Sequence, residues 1–205
     1  MNYQLLTDKI IEEIKDKEKL PTLLIHSCCG PCSSYVLEYL SKYFSITILY
    51  FNPNIYPKSE YIKRLGEQKR VIEEIPFNNP VKLIEGEYDY DIYLDYIKGL
   101  EKEIEGGNRC FKCYRLRLEE AARYAKEKGY DYFTTTLSIS PYKNAKILNE
   151  IGEESEEKYQ VKYLYADFKK REGYKRSLEL SKKYNLYRQH YCGCRFSLNQ
   201  TGIDK

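Results

Sequence analysis

Thr22-Leu23-Leu24-Ile25-His26-Ser27-Cys28-Cys29-Gly30-Pro31-Cys32 is the stretch from which the fold is read. Its first half is a short apolar run suited to a strand buried on both faces, and it runs straight into a turn carrying three cysteines. A helix is predicted next, because Tyr35, Val36, Leu37, Leu40 and Tyr43 recur at helical spacing; Ile46–Phe51 then reads as a second strand. Further out, two prolines punctuate the loop 52–57, a helix spans Ser59–Ile75 before Pro76, and Val81–Ile84 is the third strand. Residues 88–98 form a weak helix before the Gly106-Gly107 break. The alternation then resumes: helix Cys110–Lys128 stopped by Gly129, strand Tyr132–Leu137, a helix after Pro141, strand Val161–Tyr165 and helix Tyr174–Tyr184. Strand followed by helix, about five times over, predicts an α/β fold: a parallel sheet of about five strands with helices on both faces. The chain reads as a single domain over 1–205, with its C-terminal segment from about 186 to 205 returning to the cysteines. In such sheets ligands collect at the carboxyl ends of the strands, which is where the Cys28 group lies.

A chain of 205 residues buries a sizeable core without crosslinks, so the seven cysteines are not needed as staples. A net charge of +3, from 34 basic and 31 acidic residues, excludes a strongly basic nucleic-acid coat and an acidic disordered tail. No run of about 18 apolar residues exists, so no membrane-spanning helix is predicted. The first twenty residues place Leu5, Leu6, Ile10, Ile11 and Ile14 at helical spacing among charges, unlike a secretory segment. A cytoplasmic protein is therefore expected. There thiols stay reduced, and a set of seven is used for metal binding or redox chemistry rather than structural disulfides.

The cysteines fall into three groups: Cys28, Cys29 and Cys32; Cys110 and Cys113; Cys192 and Cys194. An isolated cysteine is often only a small buried hydrophobe, but three tight groups are not scattered by chance. Cys110-Phe111-Lys112-Cys113 lets two thiolates reach one centre from the first turn of a helix, whose N-terminus favours their charge. Cys28 and Cys29 are natural donors for the remainder of a four-cysteine cage. That leaves Cys32, Cys192 and Cys194 for a second metal with an open position, or Cys192-Gly193-Cys194 as a strained redox disulfide. Two other classes stay open. A thiol–disulfide oxidoreductase would use Cys29-Gly30-Pro31-Cys32, and a zinc-stabilised RNA- or nucleotide-binding module would use four of the thiols. A phosphate-cradling loop after the first strand is the weaker reading, because the glycines it needs are missing.

With these residues assembled, the sequence resembles the cobalamin-independent epoxyqueuosine reductases (QueH type). The likeness is carried by His26 to Cys32, Tyr50-Phe51-Asn52-Pro53-Asn54-Ile55, Cys110-x-x-Cys113-Tyr114 with the Arg115-Leu116-Arg117 that follows, Thr134 to Pro141, Asp167-Phe168-Lys169-Lys170 and Tyr191-Cys192-Gly193-Cys194. It implies a Rossmann-like fold and reduction of the epoxide of epoxyqueuosine, in the anticodon loop of tRNA, to the cyclopentene of queuosine. It also implies a 4Fe-4S cluster on Cys28, Cys29, Cys110 and Cys113, with either a second iron or a redox-active Cys192/Cys194 pair beside it. The electron donor is not identified by the sequence.

Removal of an epoxide oxygen as water takes two electrons, whereas such a cluster passes one at a time, so a second centre is expected at Cys32, Cys192 and Cys194 to bind the oxygen. From Lys162 to Arg195 there are ten basic and three acidic residues. Lys169, Lys170, Arg171, Lys175 and Arg176, with Tyr174 and Tyr187, therefore suit phosphates and splayed bases, the alternative being a solvated helix face. Tyr142 and Lys143 are candidates to hold phosphate or the substrate ring. His190 is a candidate proton donor beside the last cysteine pair, and Asp167 a candidate acid or a helix cap. His26 reads first as a hydrogen-bonded core imidazole, with a supporting role beside Cys28 as the alternative.

Overall fold

In the computed structural model, which describes residues 1–201, Leu23 and Ile25 point to one side of the first strand and Leu24 to the other, and all three are inaccessible to solvent. This alternation on a doubly buried strand builds two cores, because each face of the sheet must be covered. The elements run α1 (Tyr3–Ile14), β1 (Thr22–His26), α2 (Gly30–Leu40), β2 (Ser45–Tyr50), α3 (Lys58–Glu74), β3 (Lys82–Glu85), α4 (Tyr90–Tyr96), α5 (Asn108–Lys128), β4 (Tyr132–Thr135), α6 (Ala145–Tyr159), β5 (Lys162–Tyr163), α7 (Gly173–Lys183) and α8 (Arg195–Thr201). The five strands are all parallel, in the order β3-β2-β1-β4-β5. Leu23 and Ile25 join Ile11, Val36, Leu37, Val71 and Phe168 on the face covered by α1, α2 and α3, with α7 packed against α2. Leu24 joins Leu118, Ala121, Ala122, Leu148 and Ile151 beneath α5 and α6. Each fully buried Leu or Ile contributes about 1.5–3 kcal/mol.

The strand order reverses between β1 and β4, with His26 beside Leu49 of β2 and Thr135 of β4. The crevice at the ends of β1 and β4 is therefore the topological switch point, where a parallel sheet leaves room for a ligand. Local chemistry sets the helices around it. Asn144 caps α6 by accepting from the Lys146 and Ile147 amides at 3.0 and 3.3 Å, and Gly129, at φ +71°, ends α5 in the left-handed region.

The α/β architecture agrees with the sequence reading, while some boundaries differ. The fourth strand stops at Thr135, because the Thr135 hydroxyl accepts from the Leu137 amide at 3.2 Å and starts a 3-10 turn, Thr136–Ile139. β5 shrinks to Lys162–Tyr163 at the sheet edge, where the Tyr163 amide donates to the Glu156 carboxylate at 2.9 Å. α1 ends well before Leu20, and α8 was not anticipated. Of the segment 186–205 predicted to return to the cysteines, residues 202–205 lie outside the described residues. No helix among the described residues is long and apolar enough to cross a membrane.

Candidate metal centre and active site

β1 delivers His26 to the switch point and locks it there. The ring is fully buried; Nε2 donates to the Phe51 carbonyl at 3.1 Å, so Nδ1 accepts from the Thr135 hydroxyl at 2.9 Å. Burial lowers its pKa to about 4, with the Arg117 charge adding to the effect, so the imidazole is neutral. It ties the ends of three strands together, and both of its nitrogens are engaged, as a core imidazole requires.

The chain then turns, and α2 begins at Gly30 with Pro31 in its first turn, where a missing amide proton costs nothing. The turn gathers Cys28, Cys29 and Cys32, whose sulfurs all lie within 4.8 Å of one another. Hydrogen bonding to Cys29 and Cys32 holds the Cys28 thiol well below its usual value. The contact with Cys28, helped by burial, pushes Cys29 up to about 12, and the contacts with Cys28 and Cys29 push Cys32 upward. Of the three, Cys28 is the thiol most readily ionised, and a bound cation would favour ionisation of the others.

Cys110 and Cys113 stand in the first two turns of α5, both nearly buried. The Gly106 amide donates to Cys110 Sγ at 3.3 Å, and burial raises both thiols, Cys113 to about 12. Cys194 lies with Cys113 and Tyr93 in one buried cluster, where the Tyr93 hydroxyl is hydrogen-bonded to its sulfur. Cys192 is half-exposed, and its amide donates to the Ser197 hydroxyl at 3.1 Å, which in turn donates to Glu105 at 2.8 Å.

A cavity of about 400 Å³ opens over this group. Cys28, Cys32, Cys192, Tyr142, Lys143 and His190 line it, so thiols from the first and last cysteine stretches face one space. Burial works against the Lys143 charge, but the Cys192 and Cys28 sulfurs raise its pKa above the usual value, and it stays protonated. Tyr142, 82% exposed, stands at the rim.

From the basic stretch expected to face tRNA, Tyr174 and Arg188 line the cavity, while other members are engaged elsewhere. Lys169 pairs with Asp167 at 2.9 Å and donates to the Ser138 carbonyl at 2.9 Å, while Arg171 pairs with Asp8. Asp167, Lys169, Lys170 and Arg171 are absent from the cavity wall, and Lys170 is exposed to solvent. Asp167 caps no helix with its side chain; its carbonyl accepts from the Lys170 amide at 3.0 Å. The structure also brings Cys32 against Cys28 and Cys29, where the sequence reading divides it from them.

The sequence reading gave no role to the buried arginines. Arg64 is wholly buried; it pairs with Glu60 at 2.7 Å and donates to the carbonyls of Cys192 and Tyr191 at 3.1 and 3.3 Å. It clamps the last cysteine loop to α3. Arg109 donates to the Glu101 and Glu103 carbonyls, and Arg117 to the Cys113 carbonyl at 3.0 Å. A basic residue one helical turn from a cysteine on an otherwise apolar face was the available signal, and at Arg117 it was masked by the charged neighbours Arg115, Glu119 and Glu120.

Comparison with known proteins now bears on this geometry. A family model described as epoxyqueuosine reductase QueH matches residues 23–200. An epoxyqueuosine reductase QueH of Staphylococcus epidermidis is 46% identical over 210 residues, covering 100% of this chain and 87% of that protein. One of Streptococcus pyogenes is 41% identical over 99% of this chain and 82% of its own. One of Thermotoga maritima is 36% identical over 86% of this chain and 90% of its own. Likeness on this scale spans the strand ends, the cysteine turn, α5 and the returning segment together, and the chain belongs to the epoxyqueuosine reductase QueH family.

Proposed function

We propose that this chain reduces epoxyqueuosine in the anticodon loop of tRNA to queuosine: the epoxide takes up two electrons and two protons, both carbon–oxygen bonds break, an alkene remains and the oxygen leaves as water. The observation that carries the reading is a cavity at the switch point lined by sulfurs from two distant stretches beside a protonated lysine. Seven free thiols and several buried cations form a donor set fitted to an anionic iron–sulfur centre. Cys28, Cys29, Cys110 and Cys113 would hold the 4Fe-4S cluster. When bound, that cluster supplies the electrons one at a time.

Cys32 and Cys192, the remaining thiols on the cavity wall, face the substrate and would hold a second iron or store the second reducing equivalent, with Cys194 behind them. Lys143 Nζ holds a proton at the cavity, where it hydrogen-bonds the epoxide oxygen and neutralises the charge that develops as that oxygen departs. His190 and Arg188 line the mouth, and Tyr142 offers an exposed ring on which an unstacked loop base lies. Electrons come from a donor outside this chain, and the open thiols suit the reducing cytoplasm.

The test is anaerobic incubation of the iron- and sulfide-loaded protein with epoxyqueuosine-bearing tRNA and a chemical reductant, followed by mass spectrometry of the nucleosides. Conversion to a nucleoside lighter by one oxygen supports the reading, and an unchanged nucleoside with loaded protein contradicts it.

A further inference from the structure

Arg117 follows Cys113 by one turn of α5 and Cys110 by two, on the same face of the helix. It is 1% exposed. A guanidinium does not shed its proton, so a buried one is stable only if opposite charge is brought to it. The hydrogen bonding of Arg117 is incomplete: Nε donates to the Cys113 carbonyl at 3.0 Å, while the buried Nη2 has no partner. Burial disfavours its charge, and the groups whose ionised forms offset this are Cys113 first, then Cys28 and Cys192, and Tyr114. These three cysteines come from three separate stretches of chain. Arg64 also stands in the field of Cys29, but unlike Arg117 it has a carboxylate partner, Glu60, at 2.7 Å.

We propose that Arg117 is the fixed counter-charge of the thiolate-held centre, a positioning residue whose guanidinium stabilises the negative charge that accumulates on sulfur when metal binds and when the centre is reduced. The inference rests on the cofactor reading above, and it adds a residue, a direction and a measurable consequence. Removing the charge destabilises the more negative, reduced state, so the midpoint potential becomes more negative. It also weakens any metal–thiolate complex whose net charge is negative.

Two variants separate charge from shape: Arg117→Lys keeps the cation without the fork, and Arg117→Gln keeps an amide donor without the cation. In the loaded full-length protein, an anaerobic redox titration followed by visible absorbance and paramagnetic resonance should place Arg117→Gln at a more negative midpoint, with Arg117→Lys near the unsubstituted protein. In the metal-free, reduced protein, cobalt(II) titration read at the sulfur-to-cobalt charge-transfer band should show Arg117→Gln binding about ten- to a hundredfold more weakly, and Arg117→Lys close to the original affinity. If Arg117→Gln matches the unsubstituted protein in both titrations, or Arg117→Lys is displaced as far as Arg117→Gln, the counter-charge is overturned. If Arg117→Gln loses its far-ultraviolet circular dichroism, Arg117→Lys decides alone: values near the original support the charge, and displaced values overturn it. An unsubstituted protein that binds cobalt but assembles no iron–sulfur centre would defeat the cofactor reading, and the cobalt comparison would still decide the role of Arg117.

Discussion

Gly193 sits between the last two cysteines at φ +127°, a backbone conformation outside the range of residues with a side chain. A Cβ there would lie 3.0 Å from Arg64 Nη1 and 3.2 Å from Ile55 Cγ1. Neither neighbour yields readily, since Arg64 is held by Glu60 at 2.7 Å and by two carbonyls of the same loop, and Ile55 is wholly buried. Gly193→Ala therefore incurs about 1–3 kcal/mol of backbone strain. Pressing the new methyl into a filled site adds roughly 1–3 kcal/mol. The loop relieves this by rotating, which breaks the hydrogen bond from the Tyr56 amide to the Gly193 carbonyl, 2.8 Å long, and displaces Cys192 from the cavity wall. Even the lower sum, about 2 kcal/mol, corresponds to roughly a thirtyfold loss of the productive arrangement. The sheet core is untouched, so unfolding should stay one cooperative transition, with its urea midpoint lowered by no more than this strain. The assay is single-turnover conversion of epoxyqueuosine-bearing tRNA, with tRNA affinity measured separately: the single-turnover rate constant should fall by at least about thirtyfold while affinity holds. Full turnover in Gly193→Ala would refute the idea that this loop must be held against Arg64.

Cys194→Ser should abolish turnover while leaving the cluster's visible absorbance largely in place; loss of the absorbance would put Cys194 among the cage ligands. Because Lys169 is held by Asp167 and the Ser138 carbonyl, Lys169→Ala should leave the salt dependence of tRNA binding unchanged, whereas Arg188→Ala, at the cavity mouth, should reduce the slope of log affinity against log salt by about one. The Asp131 carboxylate accepts from the Thr22 amide and hydroxyl, each at 2.8 Å, and these bonds hold its pKa below the usual 3.8. Its contribution to stability is therefore present above about pH 4 and lost as the pH falls through the lower folded value. The stability gap between the original protein and Asp131→Asn, measured by urea unfolding, should be constant above about pH 5 and close under acid.

The strand ending at His26 and the cysteines that follow it were legible because a strand buried on both faces reads as an unbroken apolar run and a parallel sheet puts its ligands at strand ends. α5 was legible down to its Gly129 stop. The partners of the basic residues were not. Nothing in Asp167-Phe168-Lys169-Lys170 says that the first lysine folds back on the aspartate, because that contact depends on the Ser138 carbonyl thirty-one positions away. Arg64 and Arg117 were equally opaque, since on a one-dimensional pattern they look like solvent-facing charges of amphipathic helices. The sequence reading also treated Cys32 as a thiol of a separate centre, whereas the tight first turn of α2 swings it back toward Cys28 and Cys29.

The most direct measurement is the iron, acid-labile sulfide and zinc content of protein purified without oxygen, taken alongside Cys28→Ser and Cys110→Ser. The account predicts a brown protein with about four sulfides per chain, and loss of colour in both variants, because stretches far apart in sequence share one centre. A colourless, zinc-bearing protein, or a Cys110→Ser variant with full iron and sulfide, would contradict it.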